Sequence, residues 1–278
     1  MYSAALIVFR EVLEAALVVS IVLAASRGVP RRVWSVGAGL VAGVGGAVLI
    51  ALFAESIANM MDGFGQELLN AGVLLIAVLM LAWHNIWMSS HARSMVAEFK
   101  KTGSAVLAGD KPLYALAIIV GVALLREGSE VVMFLYGISV SGTDSSGLLM
   151  GGLMGVVAGI SFGALLYYGL VNIPVRYLFS VTGWMILLLA AGMAAQASGF
   201  LMQAGYLPDQ TPLWDSSGWL PMNSVSGQLL HILVGYDSQP TAIQLTTYVA
   251  TVAMILFGMT LVNRRMALPA APATNQAG

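Results

Sequence analysis

Two short stretches decide the fold: Arg10-Glu11-Val12-Leu13-Glu14 and Arg126-Glu127-Gly128-Ser129-Glu130. They are one pattern, Arg-Glu-x-x-Glu, written twice, and each stands inside a long apolar run. Around them the chain is poor in charge: of 278 residues 59% are apolar and 9% charged, and the mean hydropathy is +0.87. Ordinary soluble chains are roughly 45–50% apolar and about 25% charged. The contrast points to an all-α integral membrane protein with several spans. Acids and bases nearly cancel to a formal charge of -1, so the balance calls for no nucleic acid, and ordinary cytosolic enzymology is excluded with it.

Cysteine is absent, which removes disulfides, thiolate metal sites and thiol nucleophiles together. No Ser-His-Asp pattern stands in a catalytic context, so an enzyme is not expected. The sixteen methionines are scattered through apolar runs and read as packing residues rather than soft-metal ligands. No glycosylation sequon occurs, in keeping with a bacterial inner membrane. The first apolar run lacks a basic start and is interrupted by charge, so a cleavable signal is not expected there.

Seven stretches are long and apolar enough to span a bilayer, roughly 3–26, 33–57, 68–88, 113–138, 147–171, 177–203 and 242–263. If they alternate in direction, Arg27, Arg31, Arg32, Arg93, Lys100, Lys101, Lys111, Arg176, Arg264 and Arg265 all fall on one side. That side is cytoplasmic by the positive-inside rule. The opposite connections carry only acids: Glu55, Asp62, Glu67, Asp144, Asp209, Asp215 and Asp237. The N-terminus is therefore expected outside and the C-terminus inside. The chain divides into a three-helix unit at 1–91, a basic cytoplasmic loop at 92–111 and a second three-helix unit at 112–203. An acidic outer loop at 204–241, a seventh helix at 242–263 and a disordered cytoplasmic tail at 264–278 complete it. The basic loop is expected to touch lipid headgroups and to hold a short amphipathic helix near 92–100, and the apolar piece 229–234 to lie in the interface or partly re-enter.

Two bases remain, Arg10 and Arg126, both at membrane depth with four glutamates. At about 2.5–3.5 kcal/mol each, these six groups oppose insertion by roughly 15–20 kcal/mol, so pairing, water or a bound ion must offset them. At about 100° per residue, the arginine and both glutamates of each motif share one helix face. Paired carboxylates suit a hard cation with oxygen ligands. Simple neutralisation of Arg by Glu is the structural alternative; it leaves two glutamates unpaired, and buried ion pairs are poor stabilisers. A proton relay is a second functional alternative.

The motifs lie 116 residues apart, and the same offset sets Gly39-Leu40-Val41-Ala42-Gly43-Val44 against Gly155-Val156-Val157-Ala158-Gly159-Ile160. Both carry small residues four apart, which permits close helix approach. Spans 1–3 and 4–6 thus read as two copies of one unit. Because each copy has an odd number of spans, the copies are inverted, with a site near the midplane between them. The seventh span lies outside the repeat.

Two Arg-Glu-x-x-Glu motifs, in the first and fourth of seven spans, resemble the high-affinity iron permease family, which includes oxidase-coupled fungal permeases and bacterial iron-uptake permeases. The likeness extends to about Arg265; Val12 departs from the glycine usual at that position, whereas Gly128 keeps it. The resemblance implies iron as the transported substrate, with no prosthetic group, and Glu11, Glu14, Glu127 and Glu130 as its ligands. Arg10 and Arg126 would orient or neutralise them. It also implies partner proteins outside the membrane, either an oxidase or periplasmic iron-binding proteins. A proton-coupled carrier of another divalent cation or small solute is the rival transporter. Asp209, Asp215 and Asp237, with His231, are candidates for ion capture in the outer loop. His84 and Asn85, beside Trp83 and Trp87, read first as an interfacial anchor and second as an exit lining. Gln196 in the sixth span is either a helix–helix hydrogen bond or a neighbour of the site.

Overall fold

A backbone in hydrocarbon must satisfy its own N–H and C=O groups, and a chain this apolar does so as helices. The computed structural model describes residues 1–60, 66–140, 144–169 and 175–267. Among the described residues there are eight helices and no strand: α1 (Tyr2–Ala25), α2 (Arg32–Met60), α3 (Gln66–Ala108), α4 (Tyr114–Val140), α5 (Ser145–Tyr167), α6 (Val175–Gln203), α7 (Val225–Val234) and α8 (Ala242–Ala267). Five segments combine spanning length with at most two charges: Arg32–Phe53, Gln66–Met88, Ser145–Tyr167, Ser180–Gln203 and Ala242–Val262. At 24 and 27 residues α1 and α4 are as long, but each carries the three charges of its motif.

Two connections differ from expectation. The basic loop at 92–111 is mostly helix, because α3 continues unbroken for 43 residues to Ala108. The expected amphipathic helix exists but is not a separate piece. Met95, Phe99, Thr102 and Val106 recur at helical spacing, and the last three are buried. No proline and no left-handed glycine intervenes until Gly109, whose φ is +86°, and Pro112; Gly103 stays helical. At about 1.5 Å per residue α3 is about 65 Å long, roughly twice the hydrocarbon thickness of a bilayer. In the acidic loop, residues 225–234 form α7, capped by Ser224 Oγ accepting from the Gly227 N–H at 3.0 Å and ended by left-handed Gly235. This helix packs on α6 and touches α1. The seventh expected span is α8, which runs to Ala267; the rest of the expected tail lies outside the described residues.

Glycine sets the packing. The buried residues of α5 are Gly151, Gly155, Gly159 and Gly163, one per turn, and this stripe lies along α1. A Cβ at Gly155 would stand 2.6 Å from the Ala5 carbonyl oxygen and 2.8 Å from the Phe9 nitrogen, so the two backbones meet there without side chains between them. On the other side α2 lies along α4, where a Cβ at Gly39 would stand 2.4 Å from the Ala117 carbonyl. Under the 116-residue offset α1 corresponds to α4 and α2 to α5, so these two contacts are counterparts. Their registers differ by about one turn, since the counterpart of Ala5 is Gly121 rather than Ala117. Val12 also finds its place here, packed on Gly159.

Helices α3 and α6 pack on each other, α8 covers both, and α1, α3 and α4 meet pairwise. The outward faces of α2, α5 and α8 remain apolar and exposed, as with Phe53, Leu153 and Phe257. An apolar belt of this extent is a lipid-facing surface rather than a water-facing one. The interior divides into two apolar clusters. One joins Ala4 and Ile7 of α1, Leu74 and Leu81 of α3, Phe134 and Ile138 of α4, and Ile186 and Ala190 of α6. The other joins Val18 and Val22 of α1, Val36 of α2, Phe99 and Val106 of α3, and Leu116 and Val120 of α4. The start of α1 thus meets the end of α4, and the end of α1 meets the start of α4, so the two helices run antiparallel.

Gly155→Ala should lower the thermal unfolding midpoint in detergent, at an overpacking cost of about 1–3 kcal/mol. Gly152→Ala, where a Cβ meets nothing within 4 Å, should leave it unchanged or slightly raised. Equal effects of the two would contradict the close contact of α5 with α1.

Candidate functional site

Between the two apolar clusters lie the motif side chains. On α1, Arg10, Glu11 and Glu14 are buried, and on α4 so are Glu127 and Glu130. Because α1 and α4 cross side by side, the glutamates of both converge. Oxygens of Glu11, Glu127 and Glu130 lie within 4.8 Å of one another, close enough to hold one metal ion. Glu11, Glu14 and His84 form a second such group, so Glu11 is common to both. Among the described residues these are the two groupings of that kind.

The arginines are held differently. Arg10 is 3% exposed; its Nη1 donates to Glu11 Oε1 at 3.0 Å, and its Nη2 pairs with Glu14 Oε1 at 3.0 Å and contacts His84 Nε2 at 2.9 Å. Its guanidinium therefore sits among the same three residues as the second group, as a resident cation. Arg126 is 34% exposed; its Nε donates to Glu130 Oε1 at 3.2 Å, and its guanidinium lies 4.2 Å from the Trp87 ring centroid. Glu127 has no arginine partner among these pairs, and its carboxyl meets that of Glu11. Glu11 Oε2, Glu14 Oε2 and Glu127 Oε2 are buried and receive no hydrogen bond. Buried acceptors without donors are costly. Glu11, Glu14 and Glu127 belong to the two groupings that share Glu11, an arrangement a cation would relieve.

His84 departs from the interfacial anchor that its tryptophan neighbours suggest: the imidazole is buried in the cluster. A guanidinium can only donate, so His84 Nε2 accepts from Arg10, and the ring proton sits on Nδ1, against Glu130 Oε2. The helical spacing held the signal: His84 lies three residues beyond buried Leu81 and four before buried Met88, on the inward face of α3. Trp83 points outward, 73% exposed, and Trp87 supports Arg126. Asn85 donates from Nδ2 to the Gly183 carbonyl at 2.9 Å and so ties α3 to α6.

The outer-loop candidates are not brought together as a metal group among the described residues. Asp215 is exposed and accepts from the Ser217 hydroxyl and N–H and from Gln239 Nε2 at 2.8 Å; these hydrogen bonds, the Ser217 hydroxyl first, hold its carboxyl below the usual range. Asp237 accepts from the Gln239 N–H at 3.1 Å, and Asp209 is exposed. His231 Nδ1 meets the Tyr236 carbonyl and its Nε2 meets Gln196 Nε2 at 2.7 Å, so Gln196 does bond across helices, from α6 to α7. These two line a water-sized cavity of about 20 Å³ with Ser3, Ile138 and Met193.

Residues 1–269 match the iron permease FTR1 family. The ferrous iron permease EfeU of Yersinia pestis is 31% identical over 259 residues, covering 91% of each chain. The EfeU of Yersinia pseudotuberculosis serotype I is also 31% identical over 259 residues, covering 91% of this chain and 90% of that protein. The EfeU of Escherichia coli O6:K15:H31 is 29% identical over 250 residues, covering 87% and 89%. No solved structure matches the chain. A family match over nearly the whole length, on a helical bundle whose two charged helices meet at its centre, makes this multi-pass membrane protein a member of the iron permease FTR1 family.

Proposed function

We propose that the protein carries ferrous iron across a bacterial inner membrane, through a midplane site built from Glu11, Glu14, Glu127 and Glu130. The observation that carries this reading is the meeting of both motifs in two buried groupings that share Glu11, where oxygens of Glu11, Glu14 and Glu127 lack a donor among the described residues. With four carboxyls against two arginines the cluster is short of positive charge, which favours a cation, and we take that cation to be ferrous iron. The names of the related ferrous iron permeases agree with this choice.

The path follows from the two apolar clusters, each of which closes one end of the site. The ion is admitted when the cluster around Ile7 and Phe134 parts, and released when the cluster around Val18 and Val120 parts. Arg10 holds the carboxylates in the empty site and moves aside as the ion takes over its charge. Seven spans in two inverted repeats, with the N-terminus outside, fit the antiparallel course of α1 and α4 and the exchange of partners between α1–α5 and α4–α2. Bare buried charges oppose each movement, so the site passes an ion only when its charge is balanced. The protein acts with iron-handling partners outside the membrane and performs no catalysis of its own. A second reading, coupling to protons, has its support in the Glu11–Glu127 contact.

Reconstituted in liposomes, the wild type should take up Fe(II) in preference to Mn(II), Zn(II) and Fe(III). Glu14→Gln and Glu130→Gln should each cut uptake by about 10–100-fold, the scale on which changing even a residue that only supports a ligand affects metal sites. Undiminished flux in a variant with all four glutamates changed to alanine would contradict the proposal. Flux that rises with an imposed pH gradient would support the proton-coupled reading.

Because the chain has no cysteine, single-cysteine variants report topology without background labelling. A cysteine at Ser217 should react with an impermeant maleimide from the periplasmic side, and one at Lys111 only after the membrane is opened. The reverse pattern would overturn the orientation.

A further inference from the structure

We infer that His84 is the residue that makes this site prefer a transition metal to calcium or magnesium, by supplying a nitrogen ligand to the ion. The inference rests on the transport site proposed above. Four carboxylates alone form an all-oxygen donor set, which suits Ca(II), Mg(II) and Mn(II). Imidazole nitrogen is the donor that iron and its neighbours accept and the hard alkaline-earth ions do not favour.

The geometry meets the requirements for a ligand. His84 is 3% exposed, and a ring nitrogen lies within 4.8 Å of carboxylate oxygens of Glu11 and Glu14. Its Nε2 is 3.9 Å from Glu14 Oε2, one of the oxygens without a donor. That same Nε2 lone pair accepts from Arg10, so the nitrogen is already in its metal-binding tautomer. Glu130 Oε2 faces the opposite ring nitrogen, the carboxylate–histidine arrangement that orients an imidazole toward a metal. When Arg10 withdraws, three donors of mixed chemistry remain: two carboxylates and one imidazole.

The chain has three histidines, so a His91→Gln, His231→Gln double variant leaves His84 as its sole imidazole. Loaded anaerobically with one equivalent of Fe(II) in detergent, that protein should show imidazole scattering in its X-ray absorption spectrum. His84→Gln keeps an acceptor for Arg10 and a donor for Glu130 but offers oxygen in place of nitrogen. In that variant the imidazole signal should vanish, and Ca(II) should compete with Fe(II) about ten-fold better than in the wild type. An all-oxygen shell in the protein that retains only His84 overturns the inference, and that spectrum does not require His84→Gln to fold. Unchanged calcium competition in a folded His84→Gln protein overturns it as well. Iron uptake by a wild type with an all-oxygen shell would overturn this inference alone. A wild type that neither binds nor passes iron would overturn the transport proposal with it.

Discussion

The cost of burying charge governs this molecule. Glu11, Glu14, Glu127 and Glu130 are all taken out of water, and an uncompensated buried charge costs about 3–5 kcal/mol when its partner is removed. Compensation is arranged but incomplete. Arg10 reaches two carboxylates and an imidazole, Arg126 reaches one carboxylate, and Glu127 is paired with neither arginine. A fully neutralised core would be a static strut. A core left short of positive charge is suited to a cation, which is why the transport proposal places the ion there.

The rest of the architecture brings those charges together and keeps water out. Glycine at every turn of α5 lets it lie on the α1 backbone, and the small residues of α2 do the same for α4. With their outer sides covered at such close range, α1 and α4 turn their charged faces to each other and to α3. Apolar clusters above and below the charges close both ends, and in a medium of low dielectric the remaining imbalance is felt strongly.

Much of this was legible in the sequence because membrane chains are written in a small alphabet. Charge is so rare that the two motifs stand out, and helical spacing alone put each arginine beside its glutamates. The glycines at 39, 43, 155 and 159 announced close packing, which the structure pairs as α2 with α4 and α5 with α1. Two features were not legible for physical reasons. Helix α3 runs past its apolar stretch because helix formation depends on the absence of breakers, whereas hydropathy marks only where lipid ends. His84 was read through its neighbours in sequence, but neighbours in a helix point elsewhere: Trp83 faces outward while His84 faces the glutamates. Burial of a side chain is a property of the assembled bundle, so a lone histidine carries little signal until its partners on other helices are in place.

Whether iron passes through the space between α1 and α4 is decided by anomalous diffraction at the iron absorption edge, on crystals of the protein loaded with Fe(II). Passage through that space requires an iron peak within bonding distance of carboxylates from both motifs, with the Arg10 guanidinium displaced from Glu14. Iron found only in the outer loop beside Asp215 or Asp237, with Arg10 still seated among Glu11, Glu14 and His84, would contradict it.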